Sequence, residues 1–258
     1  MSSISDEDDR ISSLPDDVIC HILSFLQTKK VLTTSVFSKR WKNLWRSVPS
    51  FNFRKSKIWV DDREAQFRMN ELAYSYLLSV NYIKSCYLDI YYNSDLGLLG
   101  LPNVINWIKA VVQRGVEDIK LYFELCMEQS ESALSNADCF KFPMSILSCR
   151  TLVVIDLFGF AVKDFSSISL PSLKILSMDE IIFLNVQDFL LLLAGCPNLE
   201  NLHTNCLEFL SQEFLTYQEC QSLTLTNLTK ADLQNTFCHF PLNALRNAEH
   251  LILEINEV

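Results

Sequence analysis

The chain has 258 residues, 49% of them hydrophobic, and a formal net charge of -9 from 31 acidic and 22 basic residues. That length accommodates one large domain or a small one plus a larger one, and the apolar content argues against wholesale disorder. The acidic balance argues against general nucleic-acid binding, which needs a cationic surface to displace counterions, and only five glycines argue against a nucleotide cradle built on glycine loops.

Nine cysteines are scattered at Cys20, Cys86, Cys126, Cys139, Cys149, Cys196, Cys206, Cys220 and Cys238, with no C-x-x-C pair. Zinc sites use tighter ligand pairs. The thiols therefore read as small core hydrophobes in a reducing compartment. Met1–Arg10 is acidic and has no apolar run, so it does not read as a secretory leader. Residues 1–9 read as a disordered tail. The most apolar stretch, Ile181–Gly195, carries Asn185 and Asp188 and falls short of the ~20 residues that cross a bilayer. No membrane partner is expected, the expected location is cytoplasmic or nuclear, and the sequon Asn227-Leu228-Thr229 is accordingly expected to carry no glycan.

Three short helices open the chain. The first is predicted over Leu14–Gln27, with Pro15 at its first position and Asp16 and Asp17 at the positive end of its dipole. Val18, Ile22 and Leu26 recur every four residues, and Ile19, Leu23 and Phe25 widen that stripe. Thr28 is predicted to cap a second helix, Lys29 to Phe37, and Ser38 a third, Lys39 to about Arg46, with Trp41, Leu44 and Trp45 on one face and Pro49 ending it. Helices this short, in under ~40 residues, cannot bury all these side chains alone, so some of this surface wants a partner.

After Phe53 the texture changes. Arg63–Val80 reads as a helix with Phe67, Leu72, Tyr76 and Val80 on a broad face. A template then recurs: apolar, two residues, apolar, one residue, apolar. It occurs at Ile83/Cys86/Leu88, Val116/Ile119/Leu121, Leu152/Ile155/Leu157, Leu173/Leu176/Met178, Leu199/Leu202/Thr204 and Ala248/Leu251/Leu253, with a partial copy at Leu223/Leu225. Most steps fall in or near the leucine-rich-repeat period of ~20–29 residues. Each copy reads as a strand that must stack on its neighbours to bury its apolar face, with helices between copies at Val104–Arg114 and Val186–Ala194. The expected fold class is α/β: a three-helix N-terminal module followed by an irregular leucine-rich-repeat solenoid. An ordinary α/β domain with unevenly spaced strands is the alternative. The expected division is 1–9 tail, 10–53 helical module, 54–82 helical linker and 83–258 repeats.

Residues 10–53 strongly resemble the F-box of plant proteins. The resemblance rests on Leu14-Pro15, on Ile22-Leu23-Ser24-Phe25-Leu26, on Ser35-Val36-Phe37-Ser38-Lys39-Arg40-Trp41 and on Asn43-Leu44-Trp45. The remainder is similar to the leucine-rich region of the F-box/FBD/LRR family, through Trp107-Ile108 leading into Arg114-Gly115-Val116-Glu117, through Leu170-Pro171-Ser172-Leu173-Lys174 and through Gly195-Cys196-Pro197-Asn198-Leu199-Glu200. The resemblance implies a substrate-receptor subunit of an SCF-type ubiquitin ligase. Its F-box would dock a Skp-type adaptor, and through it a cullin, while the repeats recruit a protein substrate. It implies no catalytic residue, no metal and no cofactor: the chain would act by proximity. The adaptor-binding residues expected on this basis are Leu14, Pro15, Ile19, Ile22, Leu23, Leu26, Val36, Phe37 and Trp41. A non-ligase interaction scaffold, or a truncated competitor, is the alternative. Gln27 and Lys30 depart from the family pattern. The chain stops at Val258, just after a strand copy and without an FBD region, so the expectation is a truncated product whose last strand is an unprotected edge.

Other chemistry is sparse. His21, His203, His239 and His250 lack triad or ligand spacing, and no P-loop, G-x-S-x-G or H-E-x-x-H occurs. Gly97-Leu98-Leu99-Gly100 reads as a loop. Lys39, Arg40 and Lys42 read as the solvated face of the third helix rather than a nucleic-acid patch.

Overall fold

A computed structural model describes residues 10–59, 63–93, 101–126, 142–162, 168–211, 223–235 and 241–254. The expected tail, the Gly97–Gly100 loop, His239 and the cysteines 139, 220 and 238 lie outside the described residues. Pro15 is extended (φ −58°, ψ 152°) and leads into α1, Asp16–Ser24. The second helix, α2, covers Thr28–Thr33 and tightens into a 3₁₀ turn at Thr34–Val36. The third, α3, is a single turn, Trp41–Leu44, followed by a 3₁₀ turn at Trp45–Ser47. Ser38 holds its start: the Trp41 amide donates to Ser38 Oγ at 3.4 Å and the Lys42 amide to the Ser38 carbonyl at 3.1 Å. Thr28 does not cap α2. Its side chain is buried and turned toward the strand that follows the helices.

That strand, β1 (Ser50–Trp59), is a finding. It straddles the boundary expected between helical module and linker, and α4 (Arg63–Ser79) follows. Val48, Phe51 and Phe53 fit the repeat template and are buried, making a copy one step earlier than the pattern suggested. The template copies become β2 (Ser85–Asn93), β3 (Asp118–Cys126), β4 (Val154–Phe158), β6 (Ile175–Asp179), β8 (Asn201–Asn205), β10 (Lys230–Gln234) and β11 (His250–Leu253). With β1 they form one eight-stranded sheet among the described residues, parallel throughout, in the order β1-β2-β3-β4-β6-β8-β10-β11. The copy expected at Leu223/Leu225 is displaced. Those two side chains are buried in the approach, and the strand copy is Leu228/Ala231/Leu233.

Register aligns the apolar residues in two inward rows. Phe51 pairs with Cys86, Cys86 with Ile119, Ile119 with Ile155, Ile155 with Leu176, Leu176 with Leu202 and Leu202 with Ala231. All of these are buried. Burial of apolar surface at about 25 cal/mol per Å² is the main force holding such rows together. At the far edge Leu251, Ile252 and Leu253 of β11 are exposed.

Two devices join successive strands. After β4, β6, β8 and β10 comes a residue with left-handed backbone: Gly159 (φ 77°), Glu180 (52°), Cys206 (52°) and Asn235 (46°). The first three corners feed the two-residue strands β5 (Ala161–Val162), β7 (Ile182–Phe183) and β9 (Glu208–Phe209), which make a second parallel sheet. Only Gly159 has no alternative, because a Cβ there would lie 1.9 Å from the Phe123 carbonyl oxygen. On the approach to the strands, Asn198, Asn227 and Asn247 donate from Nδ2 to the carbonyls of Pro171, Pro197 and Thr226 at 2.8, 3.2 and 3.0 Å. The asparagine of the sequon thus has a structural use.

Helices α4, α5 (Leu101–Val112) and α6 (Val186–Ala194) lie between strands. The last occupies the span expected for it. Its cap is Asn185, whose Oδ1 accepts from the Asp188 amide at 2.8 Å. Trp107 of α5 packs 6.2 Å from Phe51 and 6.0 Å from Phe53, ring centre to ring centre. One apolar core runs from Ile19 and Leu23 through to Ala244 and Leu245, so the N-terminal helices and the sheet share it.

Candidate functional site

Helix α1 has two apolar stripes. Ile19 and Leu23 point inward and are buried, with Leu14 and Leu26 partly buried against the same core. Val18, Ile22 and Phe25, at spacings of four and three, are exposed, Phe25 to 71%, and Pro15 before them is exposed too. A helix apolar on both sides needs cover on both. The turn after α2 adds Val36, 81% exposed, and Phe37, 69%.

The local chemistry that holds these residues is well defined. Arg40 donates from Nε to Asp16 Oδ1 at 2.7 Å, from Nη1 to the Ser12 carbonyl at 2.5 Å and from Nη2 to the Leu14 carbonyl at 2.5 Å. Trp41 donates from Nε1 to Ser12 Oγ at 3.4 Å, and its ring meets Phe37 edge-on at 5.8 Å. The start of α3 therefore pins the entry of α1 and brings Phe37 to the Leu14–Pro15 end. A planar guanidinium with several donors suits that clamp better than an ammonium would.

The nine expected residues fall into three groups. Pro15, Ile22, Val36 and Phe37 are exposed; Ile19, Leu23 and Trp41 are buried, and Leu14 and Leu26 lie between. Val18 and Phe25 belong with the exposed group and were not among the nine. Their signal was present as the Val18/Ile22/Phe25 spacing, but it merges in sequence with the inward stripe.

The sheet's open face has the opposite character. Tyr87 donates its hydroxyl to Asp118 Oδ2 at 2.6 Å, and burial, with the hydrogen bond to Asp118, pushes its pKa up to about 12. Lys120 lies 3.6 Å from Asp156, His203 Nδ1 3.2 Å from Asp232 Oδ2, and Asn205 Nδ2 donates to Asp179 Oδ1 at 3.0 Å. Tyr122 and Phe158 stack there at 4.2 Å.

Burial pushes the Cys196 thiol up to about 12 and raises Cys86 further, so neither suits nucleophilic work. Among the described residues no group of three or more His, Cys, Asp or Glu is placed to hold a metal ion. No described helix is long and apolar enough to cross a membrane. His21 packs against Phe25 at 4.9 Å. An interior gap lined by Phe142, Leu157, Met178 and Phe183 has room for about 10 Å³, one water-sized sphere, and its lining is apolar: a packing defect, not a ligand pocket.

The described residues thus join helices with an outward apolar face to a parallel sheet with a polar open face, and comparison with known proteins gives the class. The F-box domain family matches residues 11–53, and the family described as "FBD-associated F-box protein At5g56370, LRR repeats" matches residues 104–242. The chain belongs to the plant F-box/FBD/LRR-repeat family. Its relatives in Arabidopsis thaliana include the F-box/FBD/LRR-repeat protein At1g78750, 31% identical over 236 residues (88% of this chain, 48% of the relative). The F-box/FBD/LRR-repeat protein At4g00160 is 31% identical over 253 residues (95% and 51%), and the F-box/LRR-repeat protein At4g14103 is 35% identical over 210 (77% and 50%). The chain spans about half the length of these relatives.

Proposed function

We propose that this chain is a substrate-receptor subunit of an SCF-type cullin-RING ubiquitin ligase, with a three-helix F-box heading a leucine-rich-repeat solenoid. The observation that carries the reading is the exposed apolar set on the N-terminal helices, Pro15, Val18, Ile22, Phe25, Val36 and Phe37. Apolar side chains this large and this exposed, gathered in one small module, mark a protein interface. The partner is a Skp-type adaptor, through which a cullin is reached. Ile19, Leu23 and Trp41 serve docking from inside, by holding the helices that present the outer residues. The repeats recruit a protein target on the open sheet face, and the chain contributes no reacting group: it raises the target's effective concentration near the conjugating enzyme. The setting is cytoplasmic or nuclear.

The test is reconstitution. The full chain should co-purify with a Skp-type adaptor, and its addition to adaptor, cullin and RING subunit should direct ubiquitin onto a protein it captures. Adaptor binding without any transfer to captured proteins would favour an interaction scaffold. No adaptor binding would overturn the reading.

A further inference from the structure

Among the described residues strand β1 is an edge strand, paired on one side only, with β2. In a strand successive residues turn their backbone groups to opposite sides. The odd-numbered residues serve β2, as when Lys84 and Ser85 donate to the Pro49 carbonyl at 2.8 and 3.1 Å. The backbone groups of Ser50, Asn52 and Arg54 therefore face the outer edge, where an unfilled ladder would invite stray pairing.

Two adjacent side chains at the start of α2 fill it. Thr28 Oγ1 accepts from the Asn52 amide at 2.8 Å and reaches the Ser50 carbonyl at 3.5 Å. Gln27 Nε2 donates to the Arg54 carbonyl at 2.5 Å. Asn52 Oδ1 accepts from the Arg54 amide at 3.1 Å and completes the set. Thr28 is 0% exposed, so no water can substitute for it. A second contact backs the seam from the core side: the buried Tyr76 hydroxyl of α4 donates to the Val48 carbonyl, and Trp45 packs 6.2 Å from the Tyr76 ring.

We infer that Gln27 and Thr28 make the F-box helices the N-terminal cap of the repeat sheet and are positioning residues: they fix the direction of the open sheet face relative to the adaptor-docking residues. Repeat sheets need a polar cap at each end. Here the docking module is that cap, and the capping bonds tie it to the first strand. The consequence for ubiquitin transfer rests on the ligase-receptor reading; the cap itself does not.

The experiment is a pulsed-EPR distance distribution between α3 and β10 in the full chain. Spin labels are attached through p-acetylphenylalanine at Lys42 and Lys230, two exposed positions outside the docking set, which leaves the native thiols untouched. The intact chain should give one narrow distribution, unchanged on adding a Skp-type adaptor. Thr28→Val, which keeps the shape and removes both hydrogen bonds, should at least double the width, and Thr28→Ser should restore it. Adaptor affinity should stay within threefold in every variant, because the docking residues point elsewhere. Should Thr28→Val fail to fold, Gln27→Ala carries the same expectation of a broader distribution. An equally narrow distribution in Thr28→Val and Gln27→Ala, or a broad one in the intact chain, overturns the proposal. The expected widths in a chain that binds no adaptor would leave the cap standing while the ligase reading fell.

Discussion

The N-terminal helices and the repeat sheet use the same side chains to opposite ends. In the sheet, Ile119, Ile155, Leu176 and Leu202 stack in register and vanish from the surface. In the helices, Ile22, Phe25, Val36 and Phe37 stand in solvent although Ile19 and Leu23, one turn away or less, are buried. Composition and hydropathy do not distinguish the two. The difference lies in what each element can reach: a strand in a stack has a neighbour on either side, whereas among the described residues nothing covers the outer stripe of α1. On the proposed reading, the apolar residues left over after the core is complete are the part of this molecule that speaks to a partner.

That contrast can be broken first where burial is complete. Leu176→Asp places a carboxylate in a site 1% exposed, facing Ile155 and Leu202. It should prevent folding of the repeat sheet, since even Leu→Ala at such sites costs about 2–5 kcal/mol. Circular dichroism melting checks this, and a variant that melts like the parent would show that the row is not core. Thr28→Val should come next. It leaves a buried amide without its acceptor, at a cost of about 1–3 kcal/mol, read as a lower urea midpoint with unchanged slope.

Alkaline pH should sharpen the contrast between buried and exposed groups. Cys196 in the folded chain titrates at about 12 against an ordinary 9.0, and Tyr87 at about 12 against 10.0, both chiefly through burial. A raised folded pKa means that the folded state holds its proton more tightly. The associated stability is present in full below pH 9.0 and is lost as pH climbs toward 12, where the unfolded chain releases protons that the folded one retains. Denaturant midpoints should be insensitive to these groups below pH 9 and should fall steadily above it. Native Cys196 should also resist alkylation at pH 8. Smaller still is Lys120→Ala on the open face: its partner Asp156 is 3.6 Å away and both are well exposed. Pairs of that kind are worth roughly 0–1 kcal/mol, so melting should barely move.

Sequence pattern revealed much of the sheet because a repeated template is hard to produce by chance. It located β2, β3, β4, β6, β8 and β11 and the span of α6. It missed β1 because Val48, Phe51 and Phe53 lie against the helical motif and read as its tail. It misplaced β10 because Leu223 and Leu225 copy the spacing while Ala231, the true middle residue, is weakly apolar. The strands β5, β7 and β9 have two residues each, too few to show a period, and the left-handed corners at Glu180, Cys206 and Asn235 carry no glycine to announce them. At the candidate docking site, sequence showed which residues are apolar but not which way they face. Thr28 read as a helix cap because threonine before a helix normally is one; its acceptor role toward Asn52 depends on a strand 24 residues away.

The central claim is that the exposed apolar residues of the helices dock a Skp-type adaptor, and calorimetry on Val36→Glu in the full chain tests it most directly. Val36 is 81% exposed, so its replacement should leave the melting temperature where it was, as surface substitutions generally change stability by less than about 0.5 kcal/mol. Loss of an interface anchor typically costs over ~2 kcal/mol, so adaptor affinity should fall more than about tenfold. Undiminished affinity in a folded Val36→Glu, and again in Ile22→Glu, would contradict the account.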